Sequence, residues 1–138
     1  MVPVSELSVR LAAAACALAA QFAHLWVLPE EFITWPVRGM FFFLVAMTQG
    51  ILAVLIAFGP RRSTVWFGVA FNALVVGFWL VSRTVGVPSL VTFIPEPFAW
   101  PDAIATAAEL MLISLLICLR KLQLAGSHAR FQLEEHHA

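Results

Sequence analysis

Four apolar runs dominate this sequence, and each is long enough to cross a lipid bilayer as a helix. They cover residues 11–28, 39–59, 65–82 and 102–119. A helix needs roughly 17 to 25 apolar residues to span the hydrocarbon core. Only 12% of the 138 residues are charged and 62% are hydrophobic, whereas about a quarter of the residues in soluble domains are charged. The sequence therefore predicts an all-α, integral membrane four-helix bundle.

Residues 1–121 form the predicted four-span bundle, and residues 122–138 form a cytoplasmic juxtamembrane tail. Pro29 follows the first run and is predicted to end its helix, because proline lacks the amide donor that a helix interior needs. Pro101 and Asp102 indicate the start of the fourth helix, since proline suits the first turn and a carboxylate suits the positive end of the helix dipole.

A cleaved signal peptide is the alternative interpretation of the first run. Arg10 precedes an alanine-rich stretch, and Ala-Leu-Ala stands at 17–19, as in the signals that secreted proteins lose. The apolar run continues through Phe22 and Trp26. This continuation favours a span that stays in the mature protein.

The distribution of cations predicts the orientation of the bundle, because lysine and arginine collect on the cytoplasmic side of a membrane. With both termini inside, only Arg38 and Arg83 of the eight lysines and arginines face outward. The other six lie inside: Arg10, Arg61, Arg62, Arg120, Lys121 and Arg130. The tryptophans agree with this topology, because interfacial belts are rich in tryptophan and four of the five map to the outer interface: Trp26, Trp35, Trp79 and Trp100.

Small residues on the second run predict close helix packing. Ala46, Gly50, Ala53 and Ala57 recur at helical spacing, and membrane helices associate through such residues and through polar contacts. Gln49 and Asn72 both lie near the middle of their spans, where each needs a hydrogen-bond partner. An amide clasp between helices is one interpretation, and contact with a ligand is the other.

The candidate site contains Glu109, which is the strongest single candidate, together with His24, Arg83, Asp102 and Gln49. Glu109 lies one heptad after Asp102, so the two are predicted to share a helix face, with Glu109 roughly 10 Å below the start of its helix. An ionisable group inside a span is costly unless it is paired or hydrated, and is often functional. A salt bridge to Arg83 or a hydrogen bond to His24 would only lock the bundle. The functional alternatives are a proton site, a cation site or a site shaped by a partner subunit.

Metal or haem binding stays open at this stage. One imidazole and several carboxylates could bind zinc, iron or manganese, and the candidate ligands are His24, Glu30, Glu31, Glu96 and Glu109. They come from separate segments without a compact motif. A haem would have only one intramembrane histidine ligand in each chain. Nucleic-acid binding has no support at a net charge of zero.

A small proton-coupled transporter that uses Glu109 is a further alternative. Small multidrug transporters also have four short helices and a membrane-buried glutamate. Their glutamate lies in the first helix, whereas the first span here, 11–28, contains no acidic residue.

The chain resembles a group of uncharacterised small four-span integral membrane proteins of high-GC, actinobacterial-type bacteria. The resemblance covers nearly the whole chain and rests on the pattern His24, Pro29, Glu30, Trp35, Phe42, Phe43, Gln49, Trp79, Ser82, Arg83, Thr84, Gly86, Pro88, Pro95, Glu96, Asp102 and Glu109. It implies the fold and a location in the bacterial inner membrane, with no particular chemistry.

Two classes of function follow from these features. The first is a non-enzymatic accessory or assembly subunit of a larger membrane complex, with other membrane subunits or a second copy as partner. The second is a protein that binds a cation, proton, metal or haem at the outward-facing His and acid cluster. The small size of the bundle favours the first class, because it leaves little room for a substrate cavity.

Overall fold

The computed structural model describes residues 4–85, 87–88, 93–94 and 99–135, with side chains for 5–85 and 99–127. Most of this chain is helical. The helices are α1 (Val4–Thr34), α2 (Pro36–Ala57), α3 (Arg62–Thr84) and α4 (Trp100–Glu135). Each of the four contains a segment long and apolar enough to cross a membrane, by length and composition. Two strands of two residues, β1 (Val87–Pro88) and β2 (Phe93–Ile94), pair antiparallel between α3 and α4. The all-α prediction therefore holds for the four-helix architecture, with one short hairpin added.

The first helix does not end at Pro29, so that prediction is wrong. α1 continues through this proline to Thr34. Helical hydrogen bonds resume after this proline; for example, the Trp35 amide donates to the Glu31 carbonyl at 2.9 Å. The chain leaves the helical conformation at Trp35, where φ is −157° and ψ is 104°. A residue before proline avoids the helical region, and Pro36 then begins α2 at a position that suits proline.

The end of α2 and the start of α4 follow the usual residue preferences of helix ends. α2 ends at Ala57, and Gly59 turns the chain with a φ of 117°, which residues with a Cβ rarely adopt. α4 begins at Trp100 with Asp102 in its first turn, as the sequence predicts. The helix also includes most of the predicted tail, because it runs to Glu135 without a break.

The helices are arranged in the order α2–α1–α4–α3 around the bundle. α1 packs against both α2 and α4, and α3 packs against α4. α2 and α3 are consecutive in the chain, yet they contact each other least of these neighbours. One contact between them joins Phe41 and Phe78, whose ring centroids are 4.9 Å apart. The bundle is therefore loosest between α2 and α3.

Small side chains let α1 and α2 approach closely. Four alanines of α1 are buried, and Ala46 and Ala53 of α2 are at most 2% exposed. A Cβ on Gly50 would lie 2.5 Å from the Gln21 side chain of α1. The predicted small-residue stripe thus forms a helix contact. The core cluster adjoining this contact contains Ala13, Ala14, Ala17, Leu52, Ala53, Ile56, Val65, Leu112 and Leu116.

Large apolar side chains cover the outside of the bundle. Phe22 and Trp26 of α1, Phe58 after α2 and Leu74 of α3 are each at least 66% exposed. Soluble proteins rarely expose such extended apolar surface. The exterior is suited to contact with lipid.

Candidate functional site

A buried hydrogen bond joins the two ionisable residues that the sequence places deepest. Nε2 of His24 lies 2.9 Å from Oε1 of Glu109, and the two residues are 5% and 1% exposed. Glu109 occupies a position in an otherwise apolar buried stripe on α4, which includes Ala105, Leu112 and Leu116. A carboxylate in such a stripe needs a partner, and His24 supplies it from α1. Of the two partners that the sequence allows, His24 makes this bond.

Arg83 contacts a different acid from the one that sequence reasoning emphasises. Its guanidinium hydrogen-bonds to Oδ2 of Asp102, and both side chains are largely buried. This pair ties the last turn of α3 to the first turn of α4. Arginine and carboxylate form charge-assisted bonds of this kind.

A second ion pair joins α1 to α2. Nε of Arg38 lies 2.9 Å from Oε2 of Glu31, and its Nη2 lies 3.0 Å from Oε1. The Nη2 contact is a hydrogen bond, and the pair bridges the turn at Trp35, so it holds the end of α1 against the start of α2. Glu31, which the sequence offers as a possible metal ligand, is therefore engaged in an ion pair.

A cavity of about 230 Å³ lies between α2 and α3 and is backed by α1 and α4. His24 and Glu109 line it together with both arginines, Asp102 and five aromatic residues, among them Trp35. Val37 also lines it and is 65% exposed, so the cavity reaches the surface near the start of α2. An apolar cavity of about 150 Å³ holds benzene in another protein. This one has room for a larger aromatic molecule.

Helical spacing explains how α3 and α4 contribute to this cavity. On both helices, lining residues recur at i, i+3, i+4 and i+7, the spacing of one helix face. On α3 they are Val75, Phe78, Trp79 and Ser82, and on α4 they are Asp102, Ala105, Thr106 and Glu109. The sequence prediction that Asp102 and Glu109 share a face is confirmed.

The aromatic walls are the part of the site that sequence reasoning missed. Phe41, Phe42, Phe78 and Trp79 line the cavity, and the ring centroids of His24 and Phe42 are 5.6 Å apart. In the sequence these residues resemble any other apolar residue of a membrane helix. The available signal was their spacing of three or four residues from Arg38 on α2 and from Ser82 on α3.

Gln49 does not belong to this site. Its Nε2 donates to Oδ1 of Asn72 at 2.8 Å, and Asn72 in turn donates to the Gly68 carbonyl at 2.8 Å. All of these groups are buried, and neither Gln49 nor Asn72 lines the cavity. The predicted amide clasp is confirmed, and the structure does not bring Gln49 together with the other predicted site residues at the cavity. Amide groups in apolar surroundings pair with each other because burying an amide without a hydrogen bond costs free energy.

The possible metal ligands are not brought together in the part of the chain that the structure describes. Within it, no group of three or more His, Cys, Asp or Glu residues could hold a metal ion. Glu31 is paired with Arg38, and Glu30 is exposed. Glu96 lies outside the described residues. Among the described candidates, only His24 and Glu109 contact each other.

The chemistry that this arrangement offers is recognition of a small amphipathic molecule. Glu109 has one further oxygen, Oε2, that makes no hydrogen bond within the described residues, and the same holds for Nδ1 of His24. Aromatic rings form the rest of the lining. Binding sites for small molecules combine mostly apolar walls with a few converging polar groups in this way.

Comparison with protein-family profiles, with curated proteins and with solved structures finds no match for this chain. The candidate site is therefore assigned from the geometry of its residues alone.

Proposed function

We propose that this protein is a four-span protein of the bacterial inner membrane that binds a small amphipathic molecule in the cavity between α2 and α3. The observation that carries the proposal is the cavity itself, which joins aromatic walls to the buried His24–Glu109 pair. A membrane protein that only packs its helices together has little use for an ionisable pair at the base of an open cavity. We assign it no catalytic residue.

Membrane insertion is supported by the surface and by the charges. The four long apolar helices and the exposed aromatic and aliphatic side chains suit a lipid environment. Six of the eight lysines and arginines fall on one side of the spans, so we propose that both termini are cytoplasmic. With this orientation, the cavity lined by Arg38 and Arg83 would open in the outer half of the membrane. A fluorescent-protein fusion to the C-terminus is expected to fluoresce, and a periplasm-dependent phosphatase fusion there to stay inactive.

The accessory or assembly role stays a prediction from the sequence. Its main support was the small size of the bundle, and the cavity of about 230 Å³ weakens that argument. Transport with Glu109 as the proton site would need the cavity to open to the other face as well. Binding is the part of such a role that the present geometry supports.

Binding can be tested with naphthylmethanol, a neutral two-ring alcohol, titrated into the purified protein in mild detergent. We expect saturable binding with one site per chain. Ala105→Phe places a ring in the cavity, because Ala105 lines it, and should raise the Kd roughly tenfold or more. Ala107→Phe is the matched control, because Ala107 is exposed on the same helix and lies outside the cavity lining.

Two results would count against this function. The first is the absence of saturable binding by the unmodified protein. The second is an equal effect of Ala105→Phe and Ala107→Phe, which would place the alcohol on the lipid-facing surface.

A further inference from the structure

Among the described residues around the cavity, Glu109 is the acid that is not paired with an arginine. Within the described residues, Arg38 is paired with Glu31, and Arg83 is paired with Asp102. Glu109 is left with the imidazole of His24, which is positively charged only when it carries a second proton. When the imidazole is neutral, this set of charges sums to minus one. The cavity therefore favours a positive charge next to Glu109.

The hydrogen bonds at Glu109 point to the kind of group that would bring this charge. When Nε2 of His24 donates to Oε1, the other carboxylate oxygen, Oε2, still lacks a donor within the described residues. Glu109 is 1% exposed and lines the cavity. A buried carboxylate gains most from a donor that is itself charged. An ammonium group with an N–H bond supplies both.

The walls suit the same ligand. Phe41 and Phe78 both line the cavity and pack against each other with centroids 4.9 Å apart, and the centroid of Phe42 lies 5.6 Å from that of His24. Trp79 also lines the cavity. Aromatic faces attract cations, and the attraction is larger where water is excluded. An anion would find both arginines already occupied by carboxylates.

We infer that the cavity binds an organic ammonium ion with an apolar, ring-sized body, whose N–H group donates to Oε2 of Glu109. This inference rests on the proposed function and specifies its ligand class. A second proton on His24 is the competing source of positive charge. If that proton supplied it, an ammonium ligand would gain nothing over a neutral one.

A matched series of ligands tests the inference on the unmodified protein in mild detergent. Naphthylmethylamine carries a positive charge and N–H donors, naphthylmethanol is neutral, and naphthoate is negative, while the two-ring body is the same. We expect the amine to bind roughly tenfold or more tightly than the alcohol, and naphthoate to bind most weakly. The trimethylated amine keeps the charge and has no N–H donor, so it should bind more weakly than the amine.

Substitution of Glu109 checks that this residue is the origin of the preference. Glu109→Gln should reduce the affinity for the amine to that for the alcohol and leave the alcohol affinity nearly unchanged. Glu30→Gln is the matched control, since Glu30 is exposed and lies outside the cavity lining. If Glu109→Gln does not fold, the ligand series on the unmodified protein still decides.

The outcomes separate this inference from the proposed function. Equal affinities for amine and alcohol would overturn the inference and leave the binding function intact. Equal affinities for the amine and its trimethylated form would overturn the hydrogen bond to Glu109. Binding of none of the compounds would overturn the proposed function as well.

Discussion

Nε2 of His24 and Oε1 of Glu109 lie 2.9 Å apart, so one buried hydrogen bond joins α1 to α4 across 85 positions of sequence. Neither residue is more than 5% exposed. The two residues join the helices and also line the cavity that we propose as a binding site. These two roles can be separated by experiment.

The effects of substituting His24 and Glu109 on the free energy of unfolding are expected to be strongly non-additive. His24→Leu or Glu109→Leu alone leaves a buried polar partner unsatisfied and should cost about 1–3 kcal/mol in the free energy of unfolding. The double substitution removes both polar groups and should cost less than the sum. Denaturant titration of the helical signal in detergent gives the four free energies of the cycle. Additive values would show that the two side chains do not interact.

Two glycines of α3 should respond in opposite ways to alanine. A Cβ on Gly68 would lie 2.7 Å from Cδ1 of Leu116, which is fully buried, so Gly68→Ala should cost about 1–3 kcal/mol. A Cβ on Gly77 would meet no described atom within 4 Å. Gly77→Ala should therefore be neutral or stabilise the helix by about 0.5–1 kcal/mol. Thermal unfolding of the two variants in detergent compares them, and a loss of stability in Gly77→Ala would contradict the packing described here.

The amide clasp should contribute modestly to stability and not to ligand binding. Gln49→Leu removes the donor to Oδ1 of Asn72 and should cost about 0.6–1.7 kcal/mol, as for other polar contacts between membrane helices. Thr48→Val is the control, because within the described part of the chain the Thr48 hydroxyl bonds only to the Leu44 carbonyl of the same helix. The Kd for naphthylmethanol should be the same in both variants. A selective loss of binding in Gln49→Leu would show that Gln49 contributes to the binding site.

Purified protein should contain no stoichiometric zinc. Within the described residues, His24 and Glu109 are joined by no third ligand of the His, Cys, Asp or Glu type, and zinc sites in proteins have at least three protein ligands. Elemental analysis checks this on protein prepared without chelators. One metal ion per chain, lost in Glu109→Gln, would show that the cavity is a metal centre.

Much of the fold follows from local sequence rules. The four apolar runs are long enough to give four helices, and the small residues from Ala46 to Ala57 mark the contact between α1 and α2. The pairing of Gln49 with Asn72 follows from the cost of an unpaired amide. Because His24 and Glu109 lie at similar depths in their apolar runs, the sequence predicts His24 as one of two possible partners of Glu109, and the structure shows this contact.

The remaining features depend on packing between helices, which periodicity does not encode. Pro29 ends no helix, because the residues after it are held by the Arg38–Glu31 pair and the break moves to Trp35. Arg83 binds Asp102 because the order α2–α1–α4–α3 places these residues side by side. The same order separates α2 from α3 and opens the cavity. Its phenylalanines could not be told from lipid-facing ones before that order was known.

Photolabelling tests the central claim most directly, namely that the cavity between α2 and α3 binds a small amphipathic molecule. Naphthylmethanol carrying a diazirine is bound to the protein in detergent, activated by light and located by mass spectrometry of the peptides. We predict labels on Phe41, Phe78 and Trp79, which line the cavity, with loss of the labels under excess naphthylmethanol and in Ala105→Phe. Labels confined to lipid-facing residues such as Phe58 and Trp66, unchanged by competitor, would contradict it.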